Sequence, residues 1–395
     1  MVAYPYLDKS REWSVVNALE NSIFCGVLGL GRVVVTAEKD KCVSDDKALE
    51  SNRENPFFSK GKFKLWGKNR LDQRRLSSMD PDDASHEGIK TVGVHVAKRC
   101  GFSFTSILCM CIVTWNMNGK EVSSEDISEL VGGDSRKFDL FVVGLQEAPR
   151  RKVGKLLQEA LQETHSLLAQ ATMQSLQLFI FGPNSSDFYV KDVKVDRHEV
   201  GGCGGLIGRK KGAVAASITI NGIRMLFISC HLSAHARNVE ERNSQCRHIT
   251  HSLFAQDRSP HVKPYDVKVW LGDLNYRIQG IGTQPVRDLI RKNHYNQLTS
   301  RDQLLQEAER GQVFNGYCEG TLSFKPTYKY DVGTSNYDTS YKVRVPSWTD
   351  RILFKIEGRR NNLEADLHSY DSIDQIDKSD HKPVKAHLCL KQKVG

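Results

Sequence analysis

The sequence lacks the features that mark several common protein classes. None of its ten cysteines forms a C-x-x-C pair, and the two closest, Cys109 and Cys111, lie in an apolar run typical of a buried strand. We therefore predict buried, reduced thiols in an intracellular protein. No run of eighteen apolar residues occurs, and charged residues precede the most apolar early stretch, residues 23–35. The sequence thus predicts neither a transmembrane helix nor a signal peptide, and we expect a cytoplasmic protein, soluble or peripheral at membranes.

The composition is otherwise that of a globular protein. Hydrophobic residues make up 39% of the chain and charged residues 26%, which excludes fibrous, collagenous and wholly disordered classes. Positive charges exceed negative ones by nine at neutral pH. A positive potential concentrates anions, so the charge favours nucleic acid, phosphorylated small molecules or an acidic membrane as partners. A basic protein without an anionic partner is the alternative.

The first 104 residues show no sustained helical or strand periodicity, and we predict a largely irregular N-terminal extension. Its residues 53–75, the basic-aromatic segment, interleave lysines and arginines with Phe57, Phe58, Phe63 and Trp66. Such a segment can lie on an anionic membrane leaflet. A solvated linker or a nuclear-import patch explains the same residues, and we favour that interpretation.

Residues 105–395 alternate strand-like and helix-like segments, and we predict that they form one domain. Buried strands are predicted at residues 106–115, 138–145, 176–181 and 267–271. Asn221-Gly222 predicts a tight hairpin, Asp126 is placed to cap a helix after Ser123, and helical spacing covers residues 153–168. Helices interspersed with strands and a hairpin predict mixed sheets packed face to face, with helices outside.

Polar residues follow two of the predicted strands, where a sheet presents reactive groups. A phosphate monoester is doubly charged and hydrolyses very slowly, so an enzyme must neutralise its oxygens and position a water molecule. Asn116 and Glu147 carry oxygen ligands of the kind that Mg²⁺ binds. Either residue alone is more often a cap at the end of a strand.

Further polar residues complete a candidate catalytic set. Asp273 and Asn275 lie two residues apart in an extended segment and therefore face the same side. His231 and His381 supply imidazoles that can bind a phosphoryl oxygen, and Asp350 can orient His381. A single histidine is usually structural, so the set rather than any member supports this interpretation.

Two longer segments resemble the signature motifs of a known family. W-L-G-D-L-N-Y-R at residues 270–277 and P-S-W-T-D-R-I-L at residues 346–353 are similar to those of the inositol polyphosphate 5-phosphatases, within the DNase I-like endonuclease, exonuclease and phosphatase superfamily. The similarity covers residues 108–390 and is strongest to the compact plant type IV enzymes. It implies a four-layer α/β/β/α sandwich of two mixed sheets, with residues 105–395 as the 5-phosphatase catalytic domain.

The resemblance implies a role for each polar residue near the phosphate. Asn116 in T-W-N-M-N-G and Glu147 in G-L-Q-E would form the Mg²⁺ site, with Asp380 near the metal. Asp273 would activate or align the attacking water, and Asn275 would hold the scissile phosphate.

The two histidines would stabilise the developing charge. His231 and His381 contact the phosphoryl group in this assignment, and Asp350 orients His381. The resemblance implies attack by water without a phosphoenzyme.

The resemblance also implies substrate-binding residues. Lys211 matches a lysine near the scissile phosphate, while Tyr328, Lys329 and Lys342 match residues that hold the neighbouring 4-phosphate. Arg351, in the second signature motif, is assigned to the same group.

We therefore expect Mg²⁺-dependent hydrolysis of the 5-phosphate of phosphoinositides or soluble inositol polyphosphates. The expected lipids are PtdIns(4,5)P2 and PtdIns(3,4,5)P3, with PtdIns(3,5)P2 as a further candidate. A metal-dependent endonuclease of the same superfamily is one alternative, and W-T-D-R with Tyr328-Lys329 argues against it. A non-catalytic phosphoinositide-binding module is the other, and the complete catalytic set argues against that. We expect a monomer that contacts its substrate and, peripherally, a membrane, but no nucleic acid.

Overall fold

The computed structural model describes residues 88–92, 106–132, 138–149, 152–185, 188–201, 211–257, 262–357 and 362–392. The basic-aromatic segment lies outside these ranges, so its predicted role is not addressed. The described strands and helices, in chain order within each type, are β1 (Lys90–Val92), β2 (Ser106–Asn116), β3 (Leu140–Gln146), β4 (His165–Met173), β5 (Leu176–Pro183), β6 (Val190–Gly201), β7 (Lys211–Ile220), β8 (Ile223–His231), β9 (Val267–Asp273), β10 (Cys318–Gly320), β11 (Asp350–Ile356), β12 (Leu363–Ser372), β13 (Val384–Gln392), α1 (Ser124–Val131), α2 (Val153–Leu161), α3 (Val239–Ser252), α4 (Thr283–Arg291), α5 (Tyr295–Thr299) and α6 (Gln303–Glu309).

The strands form two mixed sheets. The seven-stranded sheet has the order β1-β10-β11-β9-β8-β7-β6, and the six-stranded sheet has the order β12-β13-β2-β3-β5-β4. The pairs β1–β10, β2–β3 and β8–β9 are parallel. Apolar side chains of both sheets form the central core, while α1 and α2 cover the outer face of one sheet and α3 and α6 that of the other. The predicted four-layer α/β/β/α sandwich is therefore confirmed.

The central strands are apolar on both faces because both faces are covered. In β2, Met110 and Ile112 pack in the core between the sheets, while Cys111 and Val113 pack beneath α1 and α2. This arrangement explains the continuous hydrophobic run that predicted the strand.

Two local predictions match the structure in detail. Asn221 and Gly222, between β7 and β8, have φ angles of 49° and 83°, as a type I′ turn requires. At the start of α1, Asp126 N donates to Ser123 Oγ (3.2 Å) and Ser123 N donates to Asp126 Oδ2 (2.9 Å). This reciprocal capping box fixes the first turn.

The helix predicted over residues 153–168 is shorter than the spacing indicated. Helix α2 ends at Leu161, and β4 begins at His165. Strand β4 pairs with β5, with Leu167 opposite Phe181. The backbone groups of β4 form their hydrogen bonds with β5 instead of within a helix. The leucines of β4 therefore keep the helical spacing although the helix has ended.

Strand β1 lies before residue 105, where the catalytic domain was predicted to begin. Lys90 pairs with Cys318 and Val92 with Gly320, which adds an edge strand to the seven-stranded sheet. The domain boundary itself stays a prediction.

The prediction of reduced thiols is wrong for two cysteines. Cys109 and Cys389 lie opposite each other on β2 and β13 and form a disulfide. Their separation of 280 residues explains why the sequence did not indicate the pair. Cys111, Cys230 and Cys246 are buried, as predicted. None of the helices in the described ranges has the length and apolar character needed to cross a membrane.

Candidate active site

Strand pairing brings the predicted catalytic residues to one rim of the sandwich. Asp273, at the end of β9, has His231 of β8 as its neighbour on one side and Asp350 of β11 on the other. Directly paired residues project from the same face of a sheet, so these three side chains meet. Asn116 ends β2 of the other sheet, and His381 lies shortly before β13. The site therefore combines residues from both sheets.

Asp273 is the centre of this cluster. Its Oδ2 accepts a hydrogen bond from Asn116 Nδ2 (2.9 Å) and lies 3.2 Å from His231 Nε2, while its Oδ1 accepts one from Asn275 N (3.0 Å). Burial alone would raise the pKa of the Asp273 carboxyl. The hydrogen bond and charge of His231, with His381 and Lys211, outweigh burial and hold that pKa below its ordinary value. Asp273 is thus a buried carboxylate, 1% exposed.

The backbone before Asp273 requires glycine. Gly272 has a φ of 143°, and a Cβ at this position would lie 2.0 Å from the carbonyl oxygen of Cys230. The close approach of β8 and β9 explains the glycine of the W-L-G-D-L-N-Y-R motif.

A hydrogen-bonded set holds His381. Its Nδ1 lies 2.9 Å from Asp350 Oδ2, and the same oxygen accepts hydrogen bonds from Thr327 Oγ1 (2.7 Å) and Thr349 Oγ1 (2.8 Å). Burial lowers the pKa of His381, but Asp350 outweighs it, with help from Asp273 and Asp380, and raises this pKa to about 9. His381 is therefore an imidazolium at neutral pH.

The pKa of the second histidine, His231, is lowered instead of raised. Burial, followed by the charge of Lys211, lowers the pKa of His231 below its ordinary value in spite of Asp273. Lys211 Nζ contacts His231 Nε2 directly. The rim thus contains the imidazolium of His381, the ammonium of Lys211 and a second imidazole, that of His231, whose pKa is lowered.

The three predicted metal ligands are oxygen donors at the same rim. Glu147 Oε1 lies 4.0 Å from His231 Nε2, and the Glu147 side chain is 18% exposed. Asn118 N donates to Asn116 Oδ1 (3.0 Å), which fixes the Asn116 amide beside Asp273. Asp380 is close enough to His381 to help raise its pKa. Carboxylate and amide oxygens at a rim rich in carboxylates fit a hard divalent cation.

A basic cavity of about 250 Å³ adjoins the catalytic cluster. Tyr328 connects the two, because its ring centroid lies 4.5 Å from that of His381 and 4.3 Å from the guanidinium of Arg277. Lys342 and Arg344 line the same cavity. Lys329 lies one residue from Tyr328, and its Nζ is 3.6 Å from Asp338 Oδ1.

Asp338 organises the loop that carries these cations. Its Oδ1 accepts from Ser340 N (3.1 Å) and its Oδ2 from Arg344 N (2.9 Å). Arg287 of α4 donates to the Asp338 carbonyl oxygen (2.5 Å). The buried carboxylate thereby fixes the path of residues 338–344 along the cavity.

Arg351 is a correction to the predicted site. The side chain has no exposed surface. Its Nε and Nη2 each donate to Glu319 (2.6 Å), and its Nη1 donates to Asp302 (3.0 Å). A guanidinium paired with two carboxylates inside the protein cannot contact substrate, so the assignment of Arg351 to substrate binding is wrong.

The structure also brings to the site residues that the sequence did not indicate. Arg277 stacks on Tyr328 and donates to Asn275 Oδ1, and it lies in the first signature motif. Arg344 is two residues after Lys342 and lines the same cavity. Thr327 immediately precedes Tyr328, and its hydroxyl gave no sequence signal.

Comparisons with known proteins agree with this fold. The model of the Endonuclease/Exonuclease/phosphatase family 2 matches residues 113–387. The type IV inositol polyphosphate 5-phosphatase 11 of Arabidopsis thaliana is 59% identical over 316 residues, which cover 80% of this chain and 92% of that protein. The phosphatidylinositol 4,5-bisphosphate 5-phosphatase A of Rattus norvegicus is 33% identical over 71% of this chain but only 30% of its own length.

A solved structure is similar as well. The inositol polyphosphate 5-phosphatase domain of SPsynaptojanin, in complex with inositol (1,4)-bisphosphate and a calcium ion, has a TM-score of 0.62 and 30% identity. The match covers 72% of this chain and 85% of that domain.

The fold and the rim of carboxylates and imidazoles define a phosphohydrolase of the endonuclease, exonuclease and phosphatase class. Within that class, the chain belongs to the inositol polyphosphate 5-phosphatase family.

Proposed function

We propose that this enzyme uses Mg²⁺ to hydrolyse the 5-phosphate of phosphoinositide headgroups or of soluble inositol polyphosphates. The observation that carries the proposal is the basic cavity directly beside the Asp273 cluster, because a multiply phosphorylated ring needs cations next to the site of hydrolysis. The relatives, an inositol polyphosphate 5-phosphatase and a phosphatidylinositol 4,5-bisphosphate 5-phosphatase, support this substrate class. The synaptojanin domain binds inositol (1,4)-bisphosphate, which is what remains of the 1,4,5-trisphosphate after loss of its 5-phosphate.

Asn116, Glu147 and Asp380 would hold the metal ion. A bound Mg²⁺ neutralises phosphoryl charge and lowers the barrier to attack by water. Only oxygen donors are proposed for this site, which agrees with the preference of Mg²⁺.

The protein groups then position the reactants. Asp273 stays ionised and accepts a hydrogen bond from the attacking water, which aligns the water with the phosphorus–oxygen bond. Asn275 orients the scissile phosphate. Lys211 and His381 place positive charge beside the phosphoryl oxygens, and His231 adds a second imidazole. In-line attack releases inorganic phosphate without a phosphoenzyme.

Substrate preference is assigned to the basic cavity. Tyr328, Lys329 and Lys342 would hold a 4-phosphate, and Arg344 lines the same cavity. This arrangement favours PtdIns(4,5)P2 and PtdIns(3,4,5)P3 over PtdIns(3,5)P2, which has no 4-phosphate. The cytoplasmic location, the monomeric state and peripheral contact with a membrane stay predictions.

A substrate panel tests the proposal. The full-length chain is incubated with Mg²⁺ or EDTA and with soluble inositol polyphosphates, vesicle-bound phosphoinositides or an abasic-site DNA duplex. We expect Mg²⁺-dependent phosphate release only from compounds with a 5-phosphate. DNA cleavage without phosphate release would support the endonuclease alternative, and phosphoinositide binding without turnover would support the binding module.

A further inference from the structure

A cluster of metal-ligating side chains lies away from the catalytic rim. Cys109 of β2 and Cys389 of β13 face each other, with their Cα atoms 4.1 Å apart. His387 is two residues before Cys389 and therefore on the same face of the strand, and its Nε2 lies 3.2 Å from Cys389 Sγ. His368 of β12 completes the group, with its ring centroid 4.8 Å from that of His387. We call these four residues the thiol–imidazole cluster.

The backbone of β12 contributes to this grouping. The pairing of β12 with β13 shifts register between Leu367 and Ser369, which leaves His368 as the extra residue of a bulge. Bulges commonly re-aim a side chain. Here the bulged residue is the one whose ring lies beside His387.

The cluster is separate from the proposed chemistry. Strand β2 runs from Cys109 to the catalytic Asn116, and β13 begins only after His381. The cluster therefore lies further along both strands, and no step of the proposed mechanism uses it. Cys109, His387 and Cys389 are buried, with exposed fractions of 3%, 3% and 2%.

The geometry of these donors suits a tetrahedral metal ion. One ligand atom each from Cys109, His387 and Cys389 lies within 4.8 Å of the others. With Zn–S bonds of about 2.3 Å and Zn–N bonds of about 2.0 Å, ligand atoms in a tetrahedral site lie roughly 3.5 Å apart. The distance of 3.2 Å between His387 Nε2 and Cys389 Sγ is close to that spacing.

The chemistry of the donors selects the metal. Thiolate and imidazole ligands favour zinc over magnesium or calcium, whereas the proposed catalytic metal site contains only oxygen donors. Two thiolates also cancel the charge of a divalent ion. A neutral complex is the form that a buried site tolerates best, because an uncompensated charge is costly there.

We propose that reduction converts the thiol–imidazole cluster into a zinc site with Cys109, Cys389 and His387 as ligands and His368 as the neighbouring imidazole. A dithiol or phosphine reductant supplies two electrons and, with two protons from water, turns the disulfide into two thiols. Zinc then binds the two thiolates, and the two protons are released. The disulfide and the zinc complex are thus alternative states of the same residues.

Cobalt substitution tests this site selectively. The full-length chain is reduced with a phosphine, transferred to buffer containing excess Mg²⁺ and titrated with Co²⁺ without oxygen. A thiolate-to-cobalt charge-transfer band reports cysteine ligation, which the oxygen donors of the catalytic site cannot produce. We expect one equivalent of cobalt to generate the band and one equivalent of zinc to remove it.

Three variants assign the ligands. Cys389→Ser should abolish the band, and His387→Gln, which keeps both thiols, should weaken cobalt affinity at least about tenfold. Cys246→Ser is the matched control, because Cys246 is also buried but lies beside Tyr276, outside the cluster. It should bind cobalt like the unaltered chain. The circular dichroism of each variant checks that it is folded.

Two results would overturn the proposal. The first is a reduced chain that gives no charge-transfer band with cobalt. The second is a band that persists unchanged in folded His387→Gln or Cys389→Ser protein. Neither result depends on phosphatase activity, so the zinc site and the proposed function can fail independently.

Discussion

Asp273 is fixed by side chains from two other strands and by the backbone amide of Asn275, and these contacts give its carboxylate a defined orientation. Asn116 and His231 contact its Oδ2, and Asn275 N contacts its Oδ1. The same contacts keep the carboxyl ionised although it is buried. A group held in this way can align water in the same position at each turnover.

Asp273→Asn should lower kcat by about 10²–10⁴-fold, because the amide cannot replace the carboxylate as a proton acceptor for water. The substitution keeps the size of the side chain, so we expect only a small change in the urea midpoint of unfolding. Steady-state kinetics and urea unfolding measure the two effects. Activity within a few-fold of the unaltered enzyme would contradict the role of Asp273.

Thr327 acts on the chemistry through Asp350. Its hydroxyl donates to the Asp350 oxygen that contacts His381. Thr327→Val should leave this oxygen with one fewer donor and lower kcat by roughly fivefold, since a typical buried hydrogen bond contributes about 1 kcal/mol. The change should act on kcat more than on KM. Thr327→Ser, which keeps the hydroxyl, should restore most of the rate, and a failure to do so would indicate a packing role for the methyl group.

At the scale of secondary structure elements, α4 and the buried Asp338 hold the loop that lines the basic cavity. Arg287 of α4 binds the Asp338 carbonyl oxygen, and the Asp338 carboxylate binds the amides of Ser340 and Arg344. The positions of Lys342 and Arg344 therefore depend on a fixed backbone as well as on their charge.

Lys342→Ala should raise KM for substrates with a 4-phosphate and leave substrates without one nearly unchanged. The lost charge-assisted hydrogen bond predicts an increase of roughly ten- to hundredfold. Lys155→Ala, at an exposed position on α2, is the control and should have no effect. Equal increases for both substrate classes would remove the 4-phosphate assignment.

The buried ion network of Arg351 is a second feature that connects secondary structure elements. It joins β11 to Glu319 of β10 and to Asp302, which caps α6. Removal of Arg351 leaves two buried carboxylates without their cation. Arg351→Met should therefore lower the free energy of unfolding by about 3–5 kcal/mol.

Urea unfolding distinguishes this structural role from substrate binding. Arg310→Met removes a surface partner of Glu307 and should cost less than about 1 kcal/mol. If Arg351→Met protein has normal stability and a raised KM, Arg351 binds substrate after all and the structural role is contradicted.

At the scale of the whole molecule, the sequence predicted features that depend on local pattern. Asn116, His231 and Asp273 each lie at the end of a strand. The predicted strands alone therefore indicated that the three residues lie at one rim. The sandwich followed from apolar strands and interspersed helices together with the family resemblance. Burial and long-range pairing left no such local signal. Its position in the second signature motif predicts Arg351 as a site residue. The carboxylates that bind it lie 32 and 49 residues away in the sequence, so the motif does not reveal them.

The same limit applies to the cysteines and to the end of α2. Cys109 and Cys389 meet only because β2 and β13 are neighbours in the sheet. The change from α2 to β4 depends on pairing with β5 rather than on the spacing of the leucines. Each of these features is set by which strands become neighbours, and that information lies outside any single segment.

The central claim, metal-dependent removal of a 5-phosphate, is tested most directly by identifying the product. Inositol 1,4,5-trisphosphate is incubated with the purified chain, with Mg²⁺ or with EDTA, and the product is identified by phosphorus NMR. We expect inositol 1,4-bisphosphate and one equivalent of inorganic phosphate with Mg²⁺, and intact substrate with EDTA. Release of the 1- or 4-phosphate, or turnover that EDTA does not reduce, would contradict it.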